Sequence, residues 1–229
     1  MSDKLKEIAA RKAVEYVRDG MVVGLGTGSS ANFAIKALGE RVAEGLSVVT
    51  VATSEASAGL GEQVGLEIGS LEDNPVIDVT IDGADEVDPQ LELIKGLGGA
   101  LLREKIVASA STHEIIIVDP TKLVSQLGTR SPLPVEVVPF GWAPVRHRLM
   151  ELALGVELRK AAAGETFVTD NGNFILDCRF EGIAYPSALE RSINSIPGVV
   201  ENGLFVGLAH TIVIARDNGS CDIRARDQP

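Results

Sequence analysis

The sequence predicts an α/β fold in which a mostly parallel sheet carries helices on both faces and a smaller α+β lobe is inserted. Apolar, β-branched runs recur along the chain, and segments of helical length separate the first four of them. Continuous apolar strands that alternate with helices are typical of a parallel sheet that is buried on both faces. Between the fourth and the last run, the strands become shorter and more polar, which indicates a second structural unit.

Five apolar runs are predicted to form the strands of the main sheet. These are residues 21–25 (MVVGL), 48–52 (VVTVA), 76–81 (VIDVTI), 114–118 (EIIIV) and 211–215 (TIVIA). Apolar residues at helical spacing predict helices over 5–17, with a stop signal at Asp19-Gly20, and over 34–42. This alternation predicts a Rossmann-like sheet.

Residues 132–206 are predicted to form the smaller lobe, a ferredoxin-like α+β unit placed before the last strand of the main sheet. Its candidate strands are VEVVP, ETFVTD and NFILDC, and its candidate helices lie near 144–154 and 186–195. Asp170-Asn-Gly-Asn173 is a strong hairpin-turn signal. The predicted domains are therefore 1–131 with 207–229, and 132–206.

Composition excludes several classes of function. The chain has 229 residues, with 21 Lys and Arg against 32 Asp and Glu, so its net charge is −11. Because nucleic acids and anionic membranes are bound by basic patches, neither is an expected partner.

Cysteine and histidine usage points to a cytoplasmic protein without a metal site. Cys178 and Cys221 have no motif spacing, and the three histidines are scattered, so neither a disulfide scaffold nor a metal site is predicted. The amino terminus has no apolar signal region, and no apolar run approaches the ~18–20 residues that a membrane span needs. We therefore expect a cytoplasmic protein with no membrane partner.

Polar segments follow three of the predicted strands at the point where each strand ends. They are Gly26–Ser30, Asp82–Asp85 and the segment 119–122. Because ligands bind beyond the carboxyl ends of the strands in an open α/β sheet, these segments are expected to form one site.

Gly26–Ser30 is suited to an anion, because glycines let the backbone approach and the hydroxyl groups can donate hydrogen bonds. The alternative is a tight turn in which Ser29 or Ser30 caps the following helix. A dinucleotide-binding fingerprint fails, because Ser29 stands at its third glycine position, and no Walker A motif is present.

The acidic and basic residues near these segments have two interpretations each. Asp82 and Asp85 could bind sugar hydroxyls, move protons or hold a cation, or they could form a solvated acidic turn. Glu104 follows a glycine-rich segment and is either functional or a solvent-facing helical acid. Lys95 and Lys122 are either ligand-binding or exposed lysines. Together these residues predict a site for a phosphorylated small molecule, with no metal required.

Six segments resemble the ribose 5-phosphate isomerase A family, in the family's order and through nearly the whole chain. They are residues 24–30 (GLGTGSS), 80–86 (TIDGADE), 95–105 (KGLGGALLREK), 132–137 (PLPVEV), 170–173 (DNGN) and 196–199 (IPGV). The resemblance implies interconversion of D-ribose 5-phosphate and D-ribulose 5-phosphate in the pentose phosphate pathway, without metal or organic cofactor. It also implies a cytoplasmic homodimer, with a homotetramer as the alternative.

The resemblance also implies the site residues. Glu104, in the Arg-Glu-Lys helix, corresponds to the family's base, and Asp82, Asp85 and Lys95 are the further catalytic candidates. The implied substrate-binding residues are Thr27, Gly28, Ser29, Ser30, Asp82, Gly83, Ala84, Asp85, Lys95, Gly96, Leu97, Gly98 and Lys122.

The chemistry of the implied reaction suggests a role for each catalytic candidate. Moving a proton between C2 and C1 passes through an enediolate, so one carboxylate, Glu104, must reach both carbons. Lys95 is expected to stabilise the developing oxyanion. Asp82 or Asp85 is expected to hold the sugar hydroxyls and assist ring opening.

Three departures from the family pattern accompany these matches. Ser30 replaces a threonine, Leu97 interrupts a glycine run, and the loop 128–131 is about one residue longer than the pattern. Leu97 is expected to restrict how the loop wraps around the substrate.

Three other functions remain open at this level. Acyl-CoA transfer would use Glu104 as a nucleophile on a similar fold. A sugar-phosphate sensor would bind without turnover, but the acidic chain carries no basic helix-turn-helix output module. An NAD dehydrogenase is disfavoured by the broken glycine fingerprint.

Overall fold

The computed structural model describes residues 3–226, which divide into two compact units. The first unit comprises the chain up to Ala84, residues Arg103–Leu123 and the chain from Gly207 onward. The second unit comprises Asp85–Leu102 and Val124–Val206.

The helices and strands of this described part of the chain are numbered in chain order. Its α-helices are α1 (Asp3–Val14), α2 (Ser29–Ala43), α3 (Glu55–Gln63), α4 (Leu101–Ala110), α5 (Trp142–Leu149) and α6 (Pro186–Asn194). Its β-strands are β1 (Val22–Leu25), β2 (Val49–Ala52), β3 (Glu67–Ile68), β4 (Ile77–Gly83), β5 (Glu86–Val87), β6 (Leu93–Ile94), β7 (Ser111–Val118), β8 (Leu133–Val137), β9 (Gly155–Leu158), β10 (Phe174–Arg179), β11 (Val199–Asn202), β12 (Leu204–Phe205), β13 (Thr211–Ala215) and β14 (Cys221–Ala225). Two short 3-10 helices are η1 (Pro120–Lys122) and η2 (Pro139–Gly141).

The first unit contains a seven-stranded sheet in the order β14-β13-β7-β4-β1-β2-β3. Its neighbouring strands are parallel, except that β14 is antiparallel to β13. The five predicted apolar runs are the strands β1, β2, β4, β7 and β13. The prediction of a mostly parallel α/β sheet is therefore confirmed.

Apolar side chains attach helices to both faces of this sheet. Val23 and Leu25 of β1 belong to a buried cluster that includes residues of α1 and α2. Val22 belongs to a separate cluster with Val51 of β2 and Val107 of α4. Because successive side chains of a strand point to opposite faces, Val22 and Val23 define the two faces. Each aliphatic side chain buried in this way contributes about 1.5–3 kcal/mol.

The second unit is built on antiparallel sheets, as its shorter and more polar strands predict. Four strands pair in the order β11-β8-β10-β9, and three pair in the order β12-β6-β5. Val145 and Leu149 of α5 and Ile193 of α6 share one buried cluster with Val135 of β8 and Leu176 of β10. This packing forms an α+β lobe.

The second unit includes two segments that the sequence prediction assigned to the main domain, 85–102 and 124–131. The segment 85–102 belongs to the lobe because β5 pairs with β6, and β6 pairs with β12. Strands of two residues leave no periodic pattern, so their sheet partners could not be read from the sequence.

Glu86 connects these two segments. Its carboxylate is fully buried. It accepts hydrogen bonds from the backbone N–H groups of Gly128, Arg130 and Ser131 at 2.6, 2.7 and 2.6 Å. The loop that departs from the family pattern in length is therefore held by a buried charge.

Two of the elements that were predicted for the lobe differ clearly from the structure. Residues 165–170 were predicted as a strand, which is wrong: they contribute only an isolated bridge between Lys160 and Thr166. The Thr169 hydroxyl instead donates to the Glu136 carboxylate at 2.9 Å. Helix α5 ends at Leu149, five residues before the predicted end, because the chain soon enters β9.

Candidate active site

Three polar segments leave the sheet of the first unit at one edge. Strands β1, β4 and β7 are adjacent and parallel, so their carboxyl ends lie side by side. Residues 26–30 and 119–122 directly follow β1 and β7, whereas Asp82 and Gly83 are the last two residues of β4 and Ala84 follows them. The topology therefore brings together the segments that the sequence singled out in this unit.

Asp82 binds the turn that follows β1. Its side chain is only 1% exposed, and its Oδ1 accepts the N–H of Thr27 at 3.0 Å and that of Gly83 at 2.7 Å. A Cβ at Gly26 would lie 2.3 Å from the Asp82 Cγ, so only glycine fits beside this carboxylate. Asp82 therefore has a structural task beside any chemical one.

The Thr27 hydroxyl belongs to a cluster of hydroxyl groups at the start of α3. It donates to the Ser54 Oγ at 2.8 Å, and it lies 2.7 Å from the Thr53 Oγ1 and 3.2 Å from the Ser57 Oγ. Ser54 is the N-cap of α3 and accepts the N–H of Ser57. These contacts hold Thr27 in one orientation.

Helix α2 begins with an N-cap that offers no side chain. The N-cap is Gly28, with φ of +105°, and no side-chain cap hydrogen bond is formed, so the alternative of a capping Ser29 or Ser30 is wrong. Ser29 is exposed and Ser30 is half-buried. A Cβ built on Gly83 would lie 3.6 Å from the Ser30 Cβ, and the neighbouring Ala84 is half-buried. Uncapped N–H groups at a helix start favour an anion.

Glu104 lies in the first turn of α4. It is 4% exposed, so the alternative of a solvent-facing acid is wrong. The preceding Arg103 pairs with Glu55 at 3.8 Å. A carboxylate at this position is favoured by the helix dipole, and its burial keeps bulk water from it.

Lys122 ends the 3-10 helix η1 and is half-buried. The buried Asp119 is the N-cap of this helix, and its Oδ1 accepts the N–H of Thr121 at 2.6 Å. This cap stabilises the backbone of η1 and thereby the position of Lys122 at the sheet edge.

Lys95 lies in the second unit and is 2% exposed, so the alternative of an exposed lysine is wrong. The Lys95 Nζ lies 5.4 Å from the centroid of the Phe205 ring. The backbone N–H of Lys95 donates to the Gly203 carbonyl at 2.9 Å. Because burying an ammonium group is costly, such a lysine is a functional candidate.

Lys95 opens the glycine loop, residues 95–99. The Asp85 Oδ2 accepts the N–H of Leu97 at 3.0 Å, and the Gly99 N–H donates to the Gly96 carbonyl at 3.0 Å. Gly96 and Gly99 have φ of +99° and +87°, whereas Leu97 has no positive φ and is 41% exposed. The leucine therefore occupies a loop position that does not require glycine.

Arg159 also contacts the glycine loop and was missed by the sequence analysis. Its Nη1 donates to the carbonyls of Gly96 at 2.9 Å and Leu97 at 3.1 Å, and its guanidinium pairs with Asp177 of β10. The remaining loop residue, Gly98, is exposed. No local signal could have found Arg159, because 62 or more residues separate it from its loop partners.

Among residues 3–226, no three His, Cys, Asp or Glu side chains are grouped as metal ligands would be. Within the same range, no helix combines the length and apolar content needed to cross a bilayer.

Each unit offers distinct chemistry. The first unit provides a buried carboxylate on Glu104 and the N–H and hydroxyl groups of residues 27–30. The second unit provides a buried ammonium on Lys95 and a carboxylate on Asp85. Carboxylates can move protons, ammonium groups can stabilise oxyanions, and helix N-termini can bind phosphate.

Comparison with known proteins identifies the family. The family model for ribose 5-phosphate isomerase A (phosphoriboisomerase A) matches residues 49–219. The chain is 58% identical to ribose-5-phosphate isomerase A of Gloeobacter violaceus, covering 95% of this chain and 94% of that protein. It is 49% identical to the ribose-5-phosphate isomerase A of Parvibaculum lavamentivorans, and the match covers 98% of this chain and 99% of that protein.

Solved structures agree with these matches. Ribose 5-phosphate isomerase from Plasmodium falciparum superposes with a TM-score of 0.95 at 37% identity, covering 99% of this chain and 100% of that chain. A D-ribose-5-phosphate isomerase in complex with phospho-erythronic acid superposes with a TM-score of 0.95 at 40% identity. The match covers 99% of this chain and 100% of that chain. Fold and relatives define the class of protein, an aldose-ketose isomerase. The chain belongs to the ribose 5-phosphate isomerase A family, which confirms the resemblance seen in the sequence.

Proposed function

We propose that the chain interconverts D-ribose 5-phosphate and D-ribulose 5-phosphate, in the non-oxidative pentose phosphate pathway, with Glu104 as the base. Glu104 is chosen as the base because it is only 4% exposed and lies in the first turn of α4, directly after the glycine loop. Phospho-erythronic acid, bound by a solved relative, supports the substrate class.

The reaction needs no oxidant, because it moves protons only. Glu104 removes the proton from C2 of open-chain ribose 5-phosphate, and the electron pair of that C–H bond forms the C1–C2 double bond. The aldehyde oxygen O1 becomes negative, which gives the enediolate. Glu104 then returns the proton to C1, and the hydroxyl proton of O2 passes to O1, so the carbonyl group ends at C2.

Lys95 stabilises the negative charge that develops on the enediolate. An ammonium group that is already buried does not have to lose water when the charge appears. Its interaction with the oxyanion is also stronger in a site of low dielectric constant than in water.

The two aspartates have separate roles in this proposal. Asp82 holds the turn after β1 through the Thr27 and Gly83 N–H groups. Asp85, which is half-buried, contacts the sugar hydroxyls and assists ring opening. The charged phosphate end of the substrate binds the N–H groups of Gly28–Ser30, with Lys122 as the cation.

Glu104→Gln tests the function and its base together. Ribulose 5-phosphate formation from ribose 5-phosphate is followed in excess EDTA, which also tests the metal-free prediction. Because a positioned base contributes about 10²–10⁴ in rate, kcat should fall by at least that factor while KM changes little. In D₂O, wild-type product should carry less than one deuterium at C1, because the same carboxylate returns part of the original proton.

Glu62→Gln is the matched control, since Glu62 is an exposed glutamate on α3 of the same unit. It should retain the wild-type kcat. A kcat for Glu104→Gln within a factor of about two of wild type would remove Glu104 from the role of base. Thermal stabilisation by ribose 5-phosphate without any turnover would instead favour the sensor, and a CoA thioester on Glu104 would favour acyl-CoA transfer.

The proposal includes a cytoplasmic homodimer, with a homotetramer as the alternative. The likeness to the family supports the assembly, and the free thiols of Cys178 and Cys221 fit a reducing compartment. Light scattering on the eluted protein should give the mass of two chains. The mass of one chain at micromolar concentration would contradict this part of the proposal.

A further inference from the structure

The glycine loop is held by side chains that come from elsewhere in the second unit. Asp85 accepts the N–H of Leu97 at 3.0 Å. The Phe167 ring occupies the space beside Gly99, where a Cβ would lie 2.4 Å from the ring Cζ. These contacts fix the Leu97 N–H and the end of the loop. The Gly96 carbonyl accepts the Gly99 N–H at 3.0 Å, and a further partner contacts it and the Leu97 carbonyl.

Arg159 is that partner. One nitrogen, Nη1, donates to two successive carbonyls, those of Gly96 and Leu97, at 2.9 and 3.1 Å. The guanidinium carbon lies 5.9 Å from the Phe167 ring centroid, and the side chain is only 11% exposed. These two carbonyls belong to the peptide groups on either side of Leu97, so their shared donor fixes the orientation of both groups.

Asp177 holds the guanidinium itself. The Arg159 Nε donates to the Asp177 Oδ2 at 2.9 Å, and Nη2 donates to Oδ1. A bidentate pair of this kind fixes the plane of the guanidinium as well as its distance. Asp177 lies in the middle of β10, which is paired on both sides, with β8 and β9. The sheet therefore holds Asp177, and Asp177 holds Arg159.

We propose that Arg159 is a positioning residue for the isomerisation, which acts by holding the Gly96 and Leu97 carbonyls so that Lys95 stays where negative charge develops. The proposal rests on the function proposed above for Lys95. Arg159 does not contact the reacting atoms in this role. A displacement of about 1 Å in a catalytic group can cost about 100-fold in rate, so a loosened loop should be visible in kcat.

Arg159→Lys is the main variant. A lysine keeps the positive charge but lacks the planar fork, so it cannot bind Asp177 and both carbonyls together. We expect kcat for ribose 5-phosphate to fall about 10–100-fold, with a smaller change in KM, because Lys95 acts mainly on the transition state. Hydrogen exchange of the Leu97 and Gly99 amides should accelerate, while the Leu176 amide in β10 keeps its protection.

Arg179→Lys is the matched control. Arg179 of β10 and Glu157 of β9 form a second ion pair in the same unit, at 3.5 Å, but both side chains are exposed. This variant should keep the wild-type kcat and loop exchange. Asp177→Asn is a second test, because among the described contacts it is Arg159 that connects Asp177 to the loop. Asp177→Asn should lower kcat in the wild-type protein but change it little when Arg159→Lys is already present, since effects through one shared group are not additive.

Three results would overturn the proposal. The first is wild-type kcat and wild-type exchange at Leu97 in Arg159→Lys. The second is additivity of Arg159→Lys and Asp177→Asn. The third is a loss of activity that accompanies faster exchange throughout the unit, because this would make the pair a purely structural one. Failure of the proposed function is separate: it would appear as an inactive wild type or an active Glu104→Gln, while loop exchange would still report on Arg159.

Discussion

One oxygen of the Asp82 carboxylate accepts the backbone N–H of Thr27 at 3.0 Å, although 55 residues separate the two along the chain. The same oxygen accepts the N–H of Gly83 at 2.7 Å. The carboxylate at the end of β4 therefore shapes the turn that follows β1, and the glycine at position 26 is what lets the two segments approach. A residue chosen from the sequence for its chemistry thus also builds the loop that is proposed to bind phosphate.

Substitutions at Asp82 should separate these two tasks. Asp82→Asn retains an oxygen that can accept both N–H groups, so its melting temperature should stay near that of wild type. Asp82→Ala leaves two buried donors without that acceptor and should lower the free energy of unfolding by about 2–4 kcal/mol. Urea unfolding measures the difference. Equal stability of the two variants would contradict the structural task.

Gly26→Ala should damage the site, because its Cβ would lie 2.3 Å from the Asp82 Cγ and 2.6 Å from the Asp82 Cα. We expect a lower melting temperature and a raised KM for ribose 5-phosphate. Gly59→Ala is the control: Gly59 lies inside α3, and a Cβ added there would meet no atom within 4 Å. It should stabilise the protein by about 0.5–1 kcal/mol without changing KM. Loss of activity in both variants would argue against the specific clash.

Glu86→Gln should destabilise the second unit. The fully buried carboxylate accepts three N–H groups from the loop 128–131, and an amide has only one oxygen with which to replace its two. We expect a loss of about 2–4 kcal/mol in the free energy of unfolding. Glu157→Gln, an exposed glutamate of β9, should lose less than about 0.5 kcal/mol. If Glu86→Gln also lowers the free energy of unfolding by less than about 0.5 kcal/mol, the loop does not depend on the second carboxylate oxygen.

Stability should fall below neutral pH because of two stacked histidines. The rings of His113 and His210 lie 5.4 Å apart, and the His210 Nδ1 accepts the N–H of Glu114. Burial lowers the pKa of both, with a second contribution from His210 at His113 and from Arg226 at His210. A histidine with a lowered folded pKa binds more protons when unfolded. Its stabilising contribution is therefore present above the ordinary value of 6.5 and is lost as the pH falls through the lower folded pKa.

The melting temperature between pH 5 and 8 tests this expectation. It should decline on the acidic side, and His113→Gln should make that decline shallower. His147→Gln, at an exposed histidine of α5, should leave the profile unchanged. An unchanged acidic slope in His113→Gln would contradict the role of the stacked pair.

The elements that the sequence predicted well are those with a long local pattern. The five apolar strands and the polar segments at the carboxyl ends of β1, β4 and β7 were predicted from the sequence. The burial of Glu104 and Lys95 was not predictable from spacing, since a helical glutamate and a loop lysine are exposed in most proteins. Seven strands were missed, most of them short: β3, β5, β6, β9, β11, β12 and β14.

By itself, the sequence determined the class of fold, the positions of its main strands along the chain, the family and the residues proposed for catalysis. It could do so because apolar periodicity and glycine-rich motifs involve residues that are close along the chain. Only the tertiary structure decided which loops Asp82 and Glu86 hold, that Leu97 fits its loop, and that Arg159 reaches Gly96. These contacts join residues that are distant along the chain, and no local pattern records which side chain will complete the hydrogen bonds of a given backbone group.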